Sequence, residues 1–427
     1  MVDKIKVSII GLGYVGFPLA CAAAKNKAYD IYGLDINAKR VAKVNNRISP
    51  VEDITAAEDI KTVKITASTD DSILKGSKFI VICVPTPVDH NKMPDLTPVL
   101  EATRSIAKYL EAGQTIILES TVNPGVCEEN ILPILEKTGL VGGIDFELIH
   151  CPERIDPGNK QWNVYNIHRN IGGTSAAGTH IAAEFYRSFI TGTVNEMSSL
   201  KAAEATKIVE NAFRDVNIAY VNELAQSFDT LGIDVKEVIA GASNKPFSFL
   251  PHAPGCGVGG HCIAVDPYYL IEYAQKHGYE HKLLKTARAV NNSMPHYTVQ
   301  KLVDGLAALG IGMQGAKIGL LGLSYKANIG DMRESPALEM REELIKLGAQ
   351  VMSCDPYCNG DADAVIGDIL QNCVGVILAT SHLQFMDVHS WGDVKVIIDG
   401  RNCLDMTEIR SQGIVYEGIG RGNGQAI

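Results

Sequence analysis

The chain has 427 residues, room for two or three domains, with 46% hydrophobic residues, 6% aromatic residues and a formal net charge of −10. The acidic balance argues against a nucleic-acid or anionic-membrane partner, and few aromatics leave no stacking platform for bases. No apolar run approaches the ~18 residues of a membrane span, and Met1–Lys6 leads straight into a strand instead of a secretory signal. Ten scattered cysteines then read as free thiols of a cytoplasmic protein. Cys354 and Cys358 have no second pair nearby, so no metal is expected.

Short β-branched runs alternate with helical segments, the pattern of a parallel sheet with crossover helices. In chain order the first strands are expected at Lys6–Ile10, Asp30–Leu34, Phe79–Val84, Thr115–Glu119 and Glu147–Cys151, with a helix over Leu96–Leu110. Gly11-Leu12-Gly13-Tyr14-Val15-Gly16 follows the first strand and opens a helix, and Asp35 ends the second strand. This is the full context of a dinucleotide fingerprint. The glycines bring a pyrophosphate to a helix N-terminus. A carboxylate at Asp35 suits ribose hydroxyls and repels a 2′-phosphate, so the expected cofactor is NAD. Val84-Pro85-Thr86-Pro87 and Ser120-Thr121-Val122 end two further strands. They could line a ligand on the carboxyl edge or be ordinary turns. Cys151-Pro152-Glu153-Arg154 ends another, where Glu153 and Arg154 are either a solvated ion pair or part of a site.

Met197–Gly232 is one uninterrupted helical pattern, with Ala202, Ala205, Ile208, Val209, Ala212, Phe213, Val216 and Tyr220 as an apolar stripe. A helix of ~30 residues spans ~45 Å, too long for one compact domain, so it reads as a connector and a dimer surface. Lys207 and Asn211 share one of its faces. They are either a solvated face or donors for a developing oxyanion. The segment Pro254–Pro267 then surrounds Cys262 with glycines that let a backbone approach a ligand, and places Asp266 four residues on. Cys262 is a nucleophile candidate; His261 is a loop residue or a tuner of the thiol.

The last third repeats the strand pattern at Lys317–Leu321, Gln350–Cys354, Val374–Ala379 and Val394–Ile398, with Asp355 placed as Asp35 is. Lys326, Arg333 and Arg401 follow strand ends and suit a diphosphate. The fold class is therefore α/β, with two Rossmann-like doubly wound domains joined by a long central helix. The expected boundaries are residues 1–196, 197–300 and 301–427. The tail Gly422–Ile427 is expected to be disordered.

In combination and order, these motifs resemble the UDP-sugar 6-dehydrogenases of the UDP-glucose/GDP-mannose dehydrogenase family, over Val7 to about Arg421. The Glu-Arg-…-Pro-Gly form at Glu153–Gly158 and the His261-Cys262 pair are similar to the branch acting on UDP-N-acetylhexosamines. The resemblance implies oxidation of the sugar C6 alcohol to a carboxylate with two NAD, in a homodimer. NAD would be held by Gly11, Gly13, Tyr14, Val15, Gly16, Asp35, Arg40, Pro85, Thr86, Ser120 and Thr121, with Arg333 reaching it. The substrate would be held by Glu153, Arg154, Lys207, Asn211, Gly259, Lys326 and Arg401. Cys262 would carry a thiohemiacetal and then a thioester, with Lys207 and Asn211 stabilising oxyanions. Asp266 would support the thiol and the lysine, and Glu153 and Thr121 would manage the water and protons of hydrolysis.

Departures mark the substrate. Pro157 stands where UDP-glucose enzymes carry a second glutamate, and Ala264, in place of a common proline, is shared with some N-acetylmannosamine enzymes. Asp156–Asn159 and Lys245…Pro251 look more like the N-acetylglucosamine or N-acetylgalactosamine enzymes, and no arginine lies between Asn244 and Gly257. UDP-N-acetylglucosamine is the first expectation and UDP-N-acetylmannosamine the second. UDP-glucose oxidation and a single-step hydroxyacid-type dehydrogenase are the alternatives.

Overall fold

A computed structural model describes residues 4–87, 95–155, 159, 161–358 and 360–422. Asp156-Pro157-Gly158 and the tail beyond Gly422 lie outside the described residues. The chain forms two compact units, Met1–Glu210 with Tyr268–Tyr273, and Asn211–Pro267 with Ala274–Ile427.

The first unit is built on eight strands: β1 Ile5–Ile10, β2 Tyr29–Leu34, β3 Ile65–Ser68, β4 Phe79–Ile82, β5 Thr115–Leu118, β6 Glu147–His150, β7 Arg169–Gly173 and β8 Val194–Glu196. Their order is β3-β2-β1-β4-β5-β6-β7-β8, with β7 antiparallel to β6. The chain reverses its direction of progress beside β1, which makes the crevice beyond β1 and β4 the topological switch point. All four residues of β4 are buried, as a strand covered on both faces requires. One face packs on the helices Gly16–Ala24 and Ala176–Arg187 through Phe17, Leu19, Ala182 and Phe185. The other packs on Thr97–Ala107 through Val99 and Ile106.

The second unit has five parallel strands, β9 Lys317–Leu321, β10 Gln350–Cys354, β11 Gly375–Leu378, β12 Val396–Asp399 and β13 Val415–Gly418, in the order β10-β9-β11-β12-β13. The strand next to the reversal is again the first of its block. Val299, Leu302 and Leu306, from the helix Lys282–Ala308, pack with Ile318, Leu320 and Val396 in its core. That helix carries Pro295 in its interior and continues to Ala308. Its core-facing residues on both sides of Pro295 hold it together despite the missing N–H.

The expected connector is a single helix, Leu200–Leu231. It belongs to the first unit as far as Glu210 and to the second from Asn211. Its apolar stripe is divided. Ile208 and Ala212 are buried, whereas Val209, Phe213 and Tyr220 are 55%, 53% and 56% exposed. Among the described residues, no helix is long and apolar enough to cross a membrane.

Candidate active site

The glycine loop after β1 answers three different demands. Gly11 has φ +91°, and a Cβ on it would lie 2.7 Å from the Cys83 carbonyl oxygen. A Cβ on Gly16 would lie 2.0 Å from the carbonyl oxygen of Gly11. At Gly13 a Cβ would meet nothing within 4 Å. The first and third glycines close the strand–helix turn, and the second leaves backbone open where a pyrophosphate approaches. Tyr14 is exposed and Val15 part-buried at the helix start. The residues therefore fit NAD. Asp35 is fixed as well as buried: Oδ2 accepts the Leu12 N–H at 2.8 Å, Oδ1 accepts the Asn37 N–H at 2.8 Å, and Arg40 Nη1 lies 2.9 Å from Oδ2. Beyond the neighbouring strands, Ser120 Oγ donates to the Val84 carbonyl at 2.7 Å and Tyr269 Oη to the Thr86 carbonyl at 3.2 Å, while Pro85 is exposed.

Further along the same edge, Glu153 is 8% exposed. Its Oε1 accepts the N–H groups of Arg154 (2.6 Å) and Ile155 (2.7 Å), and its Oε2 takes Arg169 Nη2 at 3.1 Å. Burial pushes this carboxyl up, but Arg169, the two N–H groups and the Lys207 charge outweigh it and hold the pKa below the usual value. Arg154 does not pair with its neighbour. It grips Glu210 at 2.6 Å and donates to the His168 carbonyl at 3.0 Å. Arg169 also binds Glu119 Oε1 at 3.0 Å, and the Tyr186 hydroxyl donates to the same oxygen. Burial lifts the Glu119 carboxyl to about 7, against the pull of Arg169.

One turn before Lys207, buried Glu204 accepts the N–H groups of Gly125 (2.6 Å) and Cys127 (2.8 Å). It thereby ties down the segment that follows Thr121.

In the second unit, Asn211 Nδ2 donates to Asp266 Oδ2 at 2.6 Å, so the two predicted residues meet directly. Asp266 opens the helix Asp266–Lys276, and its N–H donates to the Cys262 carbonyl at 2.8 Å. Cys262 and Cys403 are the two part-exposed cysteines of the ten. Burial and Asp399 push the Cys403 thiol up to about 12.

The glycines before Cys262 fit closely against a neighbouring loop. A Cβ on Gly259 would lie 2.6 Å from the Glu334 carbonyl, and one on Gly260 2.8 Å from the Tyr325 ring. The Gly260 N–H donates to the Arg333 carbonyl at 3.0 Å, and the Cys256 N–H to the Gly400 carbonyl at 3.0 Å. This docks the cysteine loop on the carboxyl ends of β9 and β12. Lys326 is part-buried on the first of these ends. Arg333 is clasped by Asp331, with Nε–Oδ1 2.9 Å and Nη2–Oδ2 2.5 Å. Arg401 Nε donates to the Ala379 carbonyl at 2.7 Å, and Gly255 leaves room for its guanidinium.

Residues 5–190 match the NAD binding domain of the UDP-glucose/GDP-mannose dehydrogenase family, residues 201–293 its central domain and residues 319–406 its UDP binding domain. The chain is 38% identical, over 90% of its length and 92% of the relative's, to the UDP-N-acetyl-D-glucosamine 6-dehydrogenase of Pseudomonas aeruginosa. It is 35% identical, over 98% of its length and 100% of the relative's, to a UDP-N-acetyl-D-mannosamine dehydrogenase of Pyrococcus horikoshii. The chain belongs to the UDP-glucose/GDP-mannose dehydrogenase family. Within it, the chain sits in the UDP-N-acetylhexosamine branch and is an NAD-dependent oxidoreductase. The solved structure of the Pyrococcus horikoshii UDP-D-ManNAc dehydrogenase superposes with a TM-score of 0.91 at 34% identity, covering 98% of this chain and 100% of that one.

Membership in the family makes the missed residues instructive. Arg169, Glu119 and Glu204 gave no sequence signal, because a single charge inside an apolar pattern reads as surface until its partner is known. Asp355, the counterpart of Asp35 in the second sheet, is turned inward. Its Oδ2 accepts from Leu323 N (2.7 Å), Ser324 N (2.9 Å), Ser324 Oγ (2.7 Å) and His382 Nε2 (3.1 Å). The Asn328 N–H donates to the other His382 ring nitrogen, Nδ1, at 2.9 Å, so Nδ1 accepts while Nε2 faces Asp355. Asp355 therefore organises the β9 loop, whereas Asp35 keeps Arg40 beside it.

Proposed function

We propose that the protein oxidises the C6 alcohol of a UDP-N-acetylhexosamine to the uronic acid, with UDP-N-acetylglucosamine the first choice and UDP-N-acetylmannosamine the second. NAD, when bound, would supply the hydride acceptor, and two per sugar would account for the four electrons removed. The Asn211–Asp266 hydrogen bond, one short turn from Cys262, is the observation that carries the reading. Cys262 Sγ adds to the aldehyde carbon, and its thiohemiacetal becomes a thioester at the second oxidation. Asn211 Nδ2 has two hydrogens. Asp266 takes one and aims the other at the oxyanion, beside the charge of Lys207. Glu153, held ionised, accepts the proton of the water that attacks the thioester, with the Thr121 hydroxyl orienting that water. Hydrolysis returns the Cys262 thiol and releases the acid.

Lys326 and Arg401 bind the diphosphate, Arg154 and Gly259 shape the sugar site, and Arg333 serves the cofactor. The exposed Val209, Phe213 and Tyr220 support a homodimer through the long helix. The test is NADH yield on UDP-N-acetylglucosamine, UDP-N-acetylmannosamine and UDP-glucose, side by side. Two NADH per sugar with an acetamido substrate is expected. Faster turnover of UDP-glucose, or one NADH per sugar, overturns the assignment.

A further inference from the structure

We propose that Arg169 is a positioning residue for Glu153, holding its carboxylate charged and aimed, and that Glu119 takes the proton which two carboxylates on one guanidinium must share. The inference rests on the role given to Glu153 above.

The geometry is a buried chain of contacts. Arg169 is 1% exposed on β7 and reaches Glu119 with Nη1 at 3.0 Å and Glu153 with Nη2 at 3.1 Å. Two carboxylates on one guanidinium leave one negative charge that Arg169 does not neutralise, a costly arrangement in the interior that a single proton relieves. The two carboxylates are not equivalent hosts for it. Both oxygens of Glu153 accept hydrogen bonds from N–H donors, which favour the anion. Glu119 Oε2 is buried and has no hydrogen-bond partner among the described residues. The proton therefore settles on Glu119, and Glu153 remains the base. Burial lifting Glu119 while donors depress Glu153 agrees with this division. The other titratable groups facing the pair are Tyr186 from the helix Ala176–Arg187, Cys83 beyond β4, Cys151 beyond β6 and Lys207 from the long helix. The two thiols are pushed up by burial and stay neutral.

The test compares the pH dependence of kcat in wild type, Glu119→Gln and the double variant Glu119→Gln/Arg169→Gln, using the acetamido sugar that the wild type oxidises faster. Glu119→Gln imitates the protonated residue, so the acid limb is expected to stay where the wild type has it. In the double variant Glu153 loses its counter-ion without another buried charge being stranded. Its acid limb is expected to rise by about one pH unit or more, with KM for the sugar unchanged. Arg169→Lys, whose single ammonium cannot serve both carboxylates, moves the limb the same way by less and replaces the double variant if that one does not fold. An acid limb unmoved in the double variant and in Arg169→Lys, while two NADH per sugar are still formed, overturns the proposal. So does an acid limb that shifts fully in Glu119→Gln alone. If the wild type forms one NADH per sugar, the thioester reading itself has failed, and the role of Arg169 falls with it.

Discussion

Cys262 and Asn211 are separable at the level of single side chains. Cys262→Ala removes the atom that holds the aldehyde but leaves the Gly13 loop intact. Acid formation is expected to fall by at least ~10³-fold, while NAD still binds, as read by chromatography of the product and by fluorescence titration. Asn211→Ala removes one oxyanion donor and leaves Asp266 Oδ2 without that amide. A loss of ~10²-fold in kcat is expected, larger than any change in KM. An Asn211→Ala enzyme with wild-type kcat would remove Asn211 from the chemistry.

Among the elements, the glycine turn gives the sharpest contrast. Gly13→Ala places a methyl in open space, so its melting temperature is expected to match wild type while NAD affinity drops at least ~10-fold. Gly16→Ala drives a Cβ against the Gly11 carbonyl and is expected to lower stability outright. Thermal melts with and without NAD separate the two cases. The elements that were legible in the sequence are those with a continuous apolar run or a turn signature. β1, β2, β4, β9 and β10 lie within a residue or two of expectation, and the long helix within three. The elements that were not legible have neither. β7 begins with Arg169, whose charge Glu119 and Glu153 make buriable, and ends in Gly172-Gly173. β3 and β8 are four and three residues long. The helix Lys282–Ala308 runs through Pro295 because packing outweighs the missing N–H. Spacing in the sequence pairs only residues close along the chain. Asn211 with Asp266 and Asp35 with Arg40 were each named singly, and the bonds between them came from the fold.

For the whole molecule, acid stability and assembly follow from two features. His150 is fully buried on β6, neither ring nitrogen has a partner among the described residues, and burial lowers its pKa from 6.5 to about 3. The unfolded chain therefore binds a proton that the folded chain refuses between those values. His150 costs nothing above about pH 6.5 and destabilises by ~1.4 kcal/mol per pH unit below it. His150→Leu is expected to flatten the fall of stability between pH 6 and pH 4 in urea titrations; an unchanged slope would show that His150 is not held neutral. On the proposed homodimer through the long helix, Phe213→Asp places a charge among Val209 and Tyr220 and is expected to leave a monomer in sedimentation velocity.

The passage from one unit to the other inside the helix Leu200–Leu231 has a consequence for heredity. The division falls between Glu210 and Asn211, and the chain returns to the first unit for Tyr268–Tyr273. No single crossover in the gene exchanges one unit intact. A one-residue insertion between Lys207 and Asn211 would turn the amide roughly 100° away from the ammonium. Length changes are therefore barred from that turn, and recombinants with relatives must join in register across it.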